Sequence, residues 1–297
     1  MTYRVTDRLR CRWHQLGYYW REFQWACVAG QPWRFVVAVQ PGLKMELYAD
    51  SELCRLIYCR QFEVVERTFL NHFLRPGDVF VDVGANIGLF TLIAAMCVGP
   101  TGRVFAFEPT TVTFERLVNN VRLNDFKNVT SVKLALSDAN GQRELVRSTD
   151  GFDAWNSLAT PTMGKVFSKE CVHAVAWDQY AGQHHLGGAV TMMKIDVEGW
   201  ENRVLAGGEE TFARIDAPVL QVEFADESAR AAGSSCVDLY RTLQRLGYRI
   251  FAYDPGTRAL VPEGMREEYP YVNLIAAKNP GLVDARVRAA ARPSDQS

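Results

Sequence analysis

The chain has 297 residues, 48% of them hydrophobic and 23% charged, with a formal net charge of −1. Such a chain can bury a large core without a disulfide or metal staple, and its near-neutral balance excludes the global basic footprint of a nucleic-acid binder. Seven scattered cysteines with no CxxC pair, and no apolar stretch behind the basic opening Met1–Arg10, predict a cytoplasmic protein with reduced thiols.

Residues 1–70 read as an N-terminal extension of helices and a β-hairpin. Its first forty residues are dense in aromatics (Trp13, Tyr18, Tyr19, Trp20, Phe23, Trp25, Trp33, Phe35) interleaved with Arg8, Arg10, Arg21 and Arg34. A helix covering the sheet or the active site is the expectation, and an amphipathic helix on a membrane or a partner is the alternative. Trp33–Gln40 and Leu43–Ala49 form an extended pair turned at Pro41-Gly42. Phe62–Leu74 has helical spacing and is stopped at Arg75-Pro76-Gly77-Asp78.

The main domain is expected over residues 71–280. Strands at Val79–Val81, Arg103–Phe107 and Val129–Leu136 alternate with helices at Ile87–Val98 and Thr111–Asn124, the pattern of βαβ units and a parallel sheet. The polar stretch at about 139–188 reads as an insertion with one β-like segment, Val172–Trp177. Alternation resumes with strand Val190–Val197, helix Trp200–Phe212, strand Pro218–Phe224 and helix Val237–Leu246. Two final strands, Tyr248–Tyr253 and Tyr271–Ala277, have no helix between them, so the last inserts antiparallel. Residues 281–297 form a tail. The fold class is α/β: a doubly wound, Rossmann-like sheet.

The chemistry concentrates where strands end. Val79-Phe80-Val81-Asp82-Val83-Gly84-Ala85-Asn86-Ile87-Gly88 is a strand running through a glycine turn into a helix. Gly84 and Gly88 allow a ligand close to the backbone, in the crevice where open α/β sheets bind ligands. The spacing is not the G-x-G-x-x-G of a dinucleotide site. Asp82, at the strand end, suits a cationic amino-acid group and repels a pyrophosphate. Glu108, ending the second strand, is set to accept hydrogen bonds from ribose hydroxyls. Asp138, after the third strand, is an adenine contact or an ordinary turn acid. Lys194, Asp196 and Glu198 end the fourth strand, and Glu223 the fifth. Ionisable groups there are costly unless they line a cleft. Asp196 is assigned beside a cofactor and Glu198 towards a substrate, with Lys194 pairing Glu223 or Glu198 as the purely structural alternative.

Five ordered motifs, VFVDVGANIGLFTLIAA, VFAFEPTTVTFERLVNNVRLN, KLALSD, MKIDVEGWENRVLAGG and LQVEF, resemble those of the FkbM-type methyltransferases over Phe62–Phe224, more than half the chain. The resemblance implies the seven-strand class I methyltransferase sheet with its last strand antiparallel. It also implies S-adenosylmethionine as donor, and O-methylation of a hydroxyl on a sugar, glycoconjugate or polyketide-type metabolite. It carries over Asp82, Gly84, Asn86, Gly88, Glu108 and Asp196 as cofactor-side positions. Glu198 and Glu223 fall on motif positions to which it attaches no fixed role. Residues 1–70 and Thr149–Gln183 lie outside anything it explains.

Methyl transfer to an alcohol requires a base, and Glu198, Glu223 and His173 are the candidates. A divalent metal on Asp196, Glu198 and Glu223 is a second, less favoured hypothesis; His184-His185 and the scattered cysteines make no metal centre. Trp155, Asn156 and Ser157 are candidates for holding a sugar ring. The partner is a small-molecule or glycan acceptor. A nicotinamide oxidoreductase is disfavoured by Asp82, and a catalytically degenerate scaffold is the non-enzymatic alternative.

Overall fold

The first strand–turn–helix unit explains how the sheet is organised. Val79, Val81 and Val83 pack into one hydrophobic core while Phe80 packs into the other, the two-faced burial of a parallel sheet covered by helices on both sides. The computed structural model describes residues 17–148 and 167–290. Trp155, Asn156 and Ser157, with Arg8, Arg10 and Trp13 of the aromatic and basic opening, lie outside them.

In chain order the elements begin with helix α1 (residues 17–26) and the hairpin β1 (Arg34–Gln40) and β2 (Leu43–Tyr48), antiparallel and turned at Pro41-Gly42 as the sequence suggests. Next come α2 (Glu52–Tyr58), α3 (Val64–Phe73), β3 (Val79–Val83), α4 (Leu89–Val98), β4 (Arg103–Phe107), α5 (Thr111–Leu123) and β5 (Val129–Val132). After these follow β6 (Ala135–Leu136), β7 (Gly141–Ser148), β8 (Phe167–Val175), α6 (Trp177–Gln183), β9 (Met192–Ile195), α7 (Glu201–Ala206) and α8 (Glu209–Ala213). The chain closes with β10 (Val219–Phe224), α9 (Asp226–Ala231), α10 (Cys236–Arg245), β11 (Arg249–Asp254), β12 (Ala259–Pro262), β13 (Val272–Ala277) and α11 (Pro280–Ala289).

The main sheet has the order β12-β11-β13-β10-β9-β3-β4-β5. Strands β10, β9, β3, β4 and β5 run parallel, and β13 pairs antiparallel with both β10 and β11. This is the seven-strand class I methyltransferase order with an inserted antiparallel strand, extended at its edge by β12. The switch point lies between β3 and β9, where the chain order reverses, and ligands of such sheets bind beyond the strand ends there.

Three segments differ from the sequence reading. The apolar run Val129–Leu136 splits: β5 stays in the main sheet, whereas β6 leaves it to join β8 and β7 in a three-stranded sheet. The polar stretch at 139–188 contains that hairpin and also α6, whose Trp177 and Tyr180 pack into the second core. The helix expected over Trp200–Phe212 breaks into α7 and α8 at Gly207-Gly208. A side chain at Gly207 would meet the Ser137 carbonyl oxygen at 1.9 Å, so close packing of that turn on the β6 end dictates glycine.

The extension packs onto the domain through apolar residues of the first core, Trp25, Leu43, Met45, Leu47 and Ile57 among them, with polar contacts beside them. In α1, Arg21 donates to the Tyr58 carbonyl and Glu22 pairs with Arg55 on the inner side, with Trp25 against Phe35 and Tyr58. Tyr19, Trp20 and Phe23 remain 60–66% exposed. Among the described residues no helix is long and apolar enough to cross a membrane.

Candidate functional site

Alternation along the sheet builds a polar row on one face. Asp82 on β3 is in register with Lys194 on β9, and Lys194 with Gln221 on β10. Glu223 follows two residues later on the same face of β10, opposite Asn273 of β13. The neighbours Met192, Phe80 and Ile275 on that face belong to the core under α3 and α4. At the carboxyl ends of the strands this row opens into a cavity of about 580 Å³, a size typical of small-molecule sites.

One half of the cavity is formed by the turn after β3 and the end of β4. Asp82 is 1% exposed; its Oδ2 accepts the Thr91 hydroxyl at 2.6 Å, and its Oδ1 accepts no hydrogen bond. Burial pushes its carboxyl up, opposed chiefly by the Lys194 ammonium. Gly84 has φ +81, and a Cβ there would meet the Asp196 carbonyl oxygen at 1.9 Å, so this glycine brings the β3 turn against the β9 end. Asn86 lies at φ 49 and its N–H donates to Glu108 Oε2 at 3.2 Å. The Glu108 Oε1 accepts the Thr110 N–H and hydroxyl at 3.0 and 2.6 Å. Its burial drives the carboxyl up to about 6, the donors holding it from going higher. Leu134, Ala135 and Leu136 supply an apolar wall beside them.

The other half is acidic. Lys194, 2% exposed, is hydrogen-bonded to Asp196 Oδ2, lies 3.8 Å from Glu63 Oε2, and stands over the Phe90 ring at 4.5 Å. Burial works against its charge, yet Asp196, Glu63 and Asp82 outweigh that and hold the ammonium firmly protonated. The lysine therefore serves Asp196 and Glu63 rather than Glu198 or Glu223. Glu198 lies at φ 51, a left-handed conformation that is strained for a side-chain-bearing residue, and accepts the Ser228 hydroxyl at 3.2 Å. Glu201 holds this turn: its Oε1 accepts the N–H groups of Val197 and Gly199 at 3.1 and 3.2 Å. Glu223 is 3% exposed and its Oε2 accepts no hydrogen bond. Burial, then the repulsion of nearby carboxylates, raises Glu198 and Glu223 well above the usual range. One oxygen from each of Asp196, Glu198 and Glu223 lies within 4.8 Å of the other two.

The cavity thus gathers Asp82, Gly84, Asn86, Glu108, Asp196, Glu198 and Glu223. It does not gather the remaining candidates. Gly88 caps α4 at φ 97, where a Cβ would strike Leu117, so its place is packing behind the turn. Asp138 is outside the lining; Arg203 takes its Oδ2 at 2.6 Å and Ser137 donates to its Oδ1. Those donors hold the Asp138 carboxyl below the usual range against its partial burial. His173 sits exposed on β8 in the three-stranded sheet, away from the cavity wall.

Sequence reasoning missed Glu63 and Tyr271. Glu63 precedes α3 at φ 43 with a 4% exposed side chain. Its Oε1 accepts the Tyr271 hydroxyl at 2.9 Å, and its Oε2 accepts no hydrogen bond. Burial raises its carboxyl to about 7, with Lys194 pulling the other way. Both residues lie on segments without a motif, and only the packing of the extension and of the β13 approach over the strand ends brings them in.

A protein-family model described as the methyltransferase FkbM domain matches residues 82–250. Over 192 residues the chain is 32% identical to the 31-O-demethyl-FK506 methyltransferase FkbM of Streptomyces tacrolimicus, covering 54% of this chain and 72% of that protein. Among solved structures it is similar to M. jannaschii TYW2 in complex with AdoMet (14% identity, TM-score 0.40, 83% of this chain and 85% of that one). A SAM-dependent methyltransferase from Aquifex aeolicus is similar at 13% identity and a TM-score of 0.40, over 72% of this chain and 88% of that one.

Proposed function

Since the chain belongs to the FkbM methyltransferase family, we propose that it transfers the methyl group of S-adenosylmethionine to a hydroxyl of a sugar, glycoconjugate or polyketide-type metabolite. The observation that carries this reading is Asp82: a fully buried carboxylate in the cavity wall whose Oδ1 has no hydrogen-bond donor. A buried carboxylate is costly until a cationic donor meets it, and the ammonium of the cofactor's methionine moiety is such a donor. Gly84 leaves the backbone bare for close approach, Glu108 keeps acceptor capacity for ribose hydroxyls, and Leu134–Leu136 offers an apolar surface to a purine. The residues present therefore fit this cofactor.

Bound there, S-adenosylmethionine supplies an electrophilic methyl group on a sulfonium. The chain's own work is to hold the acceptor oxygen in line and to exclude water. It must also take the hydroxyl proton. Glu198, Glu223 and Glu63 line the acceptor side, and buried carboxylates with raised affinity for protons are suited to that last task near neutral pH. Lys194 holds Asp196 and Glu63 in place through its ammonium.

The test is isothermal titration with S-adenosylhomocysteine, run beside NAD and beside Asp82→Asn. Micromolar binding of S-adenosylhomocysteine, none of NAD, and at least tenfold weaker binding by the variant is the expected result (about 1.4 kcal/mol per tenfold). A folded wild-type protein that ignores S-adenosylhomocysteine overturns the reading and favours a scaffold role for the fold.

A further inference from the structure

Among the described residues eight carboxylates line the cavity, and Lys194 is the one basic side chain that does so. That ammonium is already committed to Asp196 and Glu63. The cofactor proposed above brings positive charge to the Asp82 side. On the far side Asp196, Glu198 and Glu223 converge within 4.8 Å of one another.

A cluster of acids alone is common on proteins and implies nothing. Here a second observation points to a ligand: Glu223 is 3% exposed, lines the cavity, and presents Oε2 with no hydrogen-bond donor. An ionised carboxylate oxygen in that position is costly unless a positive charge reaches it. The cluster is also held in shape. The turn carrying Glu198 is braced by Glu201, and Gly199 packs so tightly on α9 that a Cβ would meet the Ser228 carbonyl oxygen at 2.2 Å.

We propose that Asp196, Glu198 and Glu223 form a binding site for a hard divalent cation, Mg²⁺ or Mn²⁺. Oxygen donors without sulfur or imidazole select that class. Cis oxygens of an octahedral ion with bonds of about 2.1 Å are roughly 3 Å apart, so cation binding draws the three side chains slightly together from their mutually repelled positions. Three protein oxygens leave about three coordination positions for water or for hydroxyls of the acceptor. The fitting acceptor class is one with two neighbouring hydroxyl groups. A hydroxyl bound to the ion is acidified, and Glu63, beside Lys194 in the same acidic half of the cavity, is then the carboxylate left to take its proton. This role of the ion rests on the methyltransferase reading; the binding of the ion does not.

The experiment titrates MnCl2 into the chelator-treated protein, following the signal of free Mn²⁺ by electron paramagnetic resonance, with parallel S-adenosylhomocysteine calorimetry on the same preparation. One equivalent of Mn²⁺ is expected to bind and to be displaced by MgCl2. Glu223→Gln and Glu198→Gln should each weaken it about tenfold or more, since even outer-shell changes cost that much. Glu144→Gln, at an exposed pair with Lys169, should leave it unchanged. Absence of Mn²⁺ binding up to about millimolar concentration, the weak end of protein cation sites, overturns the proposal without any variant. Binding that survives both substitutions in proteins that still melt cooperatively overturns it too. If Mn²⁺ binds and S-adenosylhomocysteine does not, the cation site stands and the methyltransferase reading falls.

Discussion

Lys194→Met isolates what the one basic side chain among the described residues of the cavity lining does. The substitution keeps the length and the apolar stem but removes an ammonium that is 2% exposed, bonded to Asp196 and 3.8 Å from Glu63. At that separation the gross attraction to one carboxylate is about 4 kcal/mol at an effective dielectric constant of about 20. Breaking a buried pair by removing one partner costs about 3–5 kcal/mol, because the other charge stays buried and unpaired. For a domain of this size that is a fall in Tm on the order of 10 °C. The loss depends on pH in a definite direction. Burial already lifts Glu63 to about 7 with Lys194 beside it, and without the lysine its folded-state pKa rises further. A carboxyl raised in the folded state favours folding below its unfolded pKa and opposes it as pH climbs through the folded value. The variant should therefore be strongly destabilised at about pH 8 and much less so at about pH 6, where Glu63 is protonated in the folded variant. Thermal melts of wild type and variant at both pH values measure this. Equal Tm losses at the two pH values, or no loss at either, would show that the lysine is not the neutralising partner.

Three further outcomes follow from the same geometry. The wild-type protein should gain stability, by a few kcal/mol, when pH falls from about 8 to about 5.5, because burial lifts Glu63 and Glu201 to about 7 and also raises Glu198 and Glu223 well above the usual range; a Tm that falls over that range contradicts the burial argument. Gly84→Ala places a methyl group 1.9 Å from the Asp196 carbonyl at φ +81. It should cost about 2–4 kcal/mol from left-handed strain and overpacking together and abolish S-adenosylhomocysteine binding, whereas wild-type calorimetry and melting would refute the close approach. Affinity for S-adenosylhomocysteine should weaken as pH drops through about 6, where burial has set Glu108, while His173→Ala, exposed on β8, should leave both affinity and Tm unchanged.

The legible parts of the site share one property: a motif at the carboxyl end of a strand. Asp82, Glu108, Asp196 and Glu223 each end an apolar run, so strand alternation and the parallel topology place them together before any coordinate is known. Asp138 also follows a strand, but β6 leaves the main sheet, and that departure turns its carboxylate to Arg203 rather than to the cavity. His173 had the right chemistry and the wrong strand.

Local sequence thus determined the element types, the order of the βα units, the antiparallel last strand and the half of the cavity nearest the β3 turn, because periodicity and glycine chemistry act within a few residues. Tertiary packing decided the rest. Glu63 and Tyr271 enter the site from opposite ends of the chain, 208 residues apart. Lys194 chose Asp196 and Glu63 over the acids that flank it. Long-range electrostatic pairing and burial carry no periodic signature in a sequence, and they set which carboxylates of the cavity Lys194 neutralises.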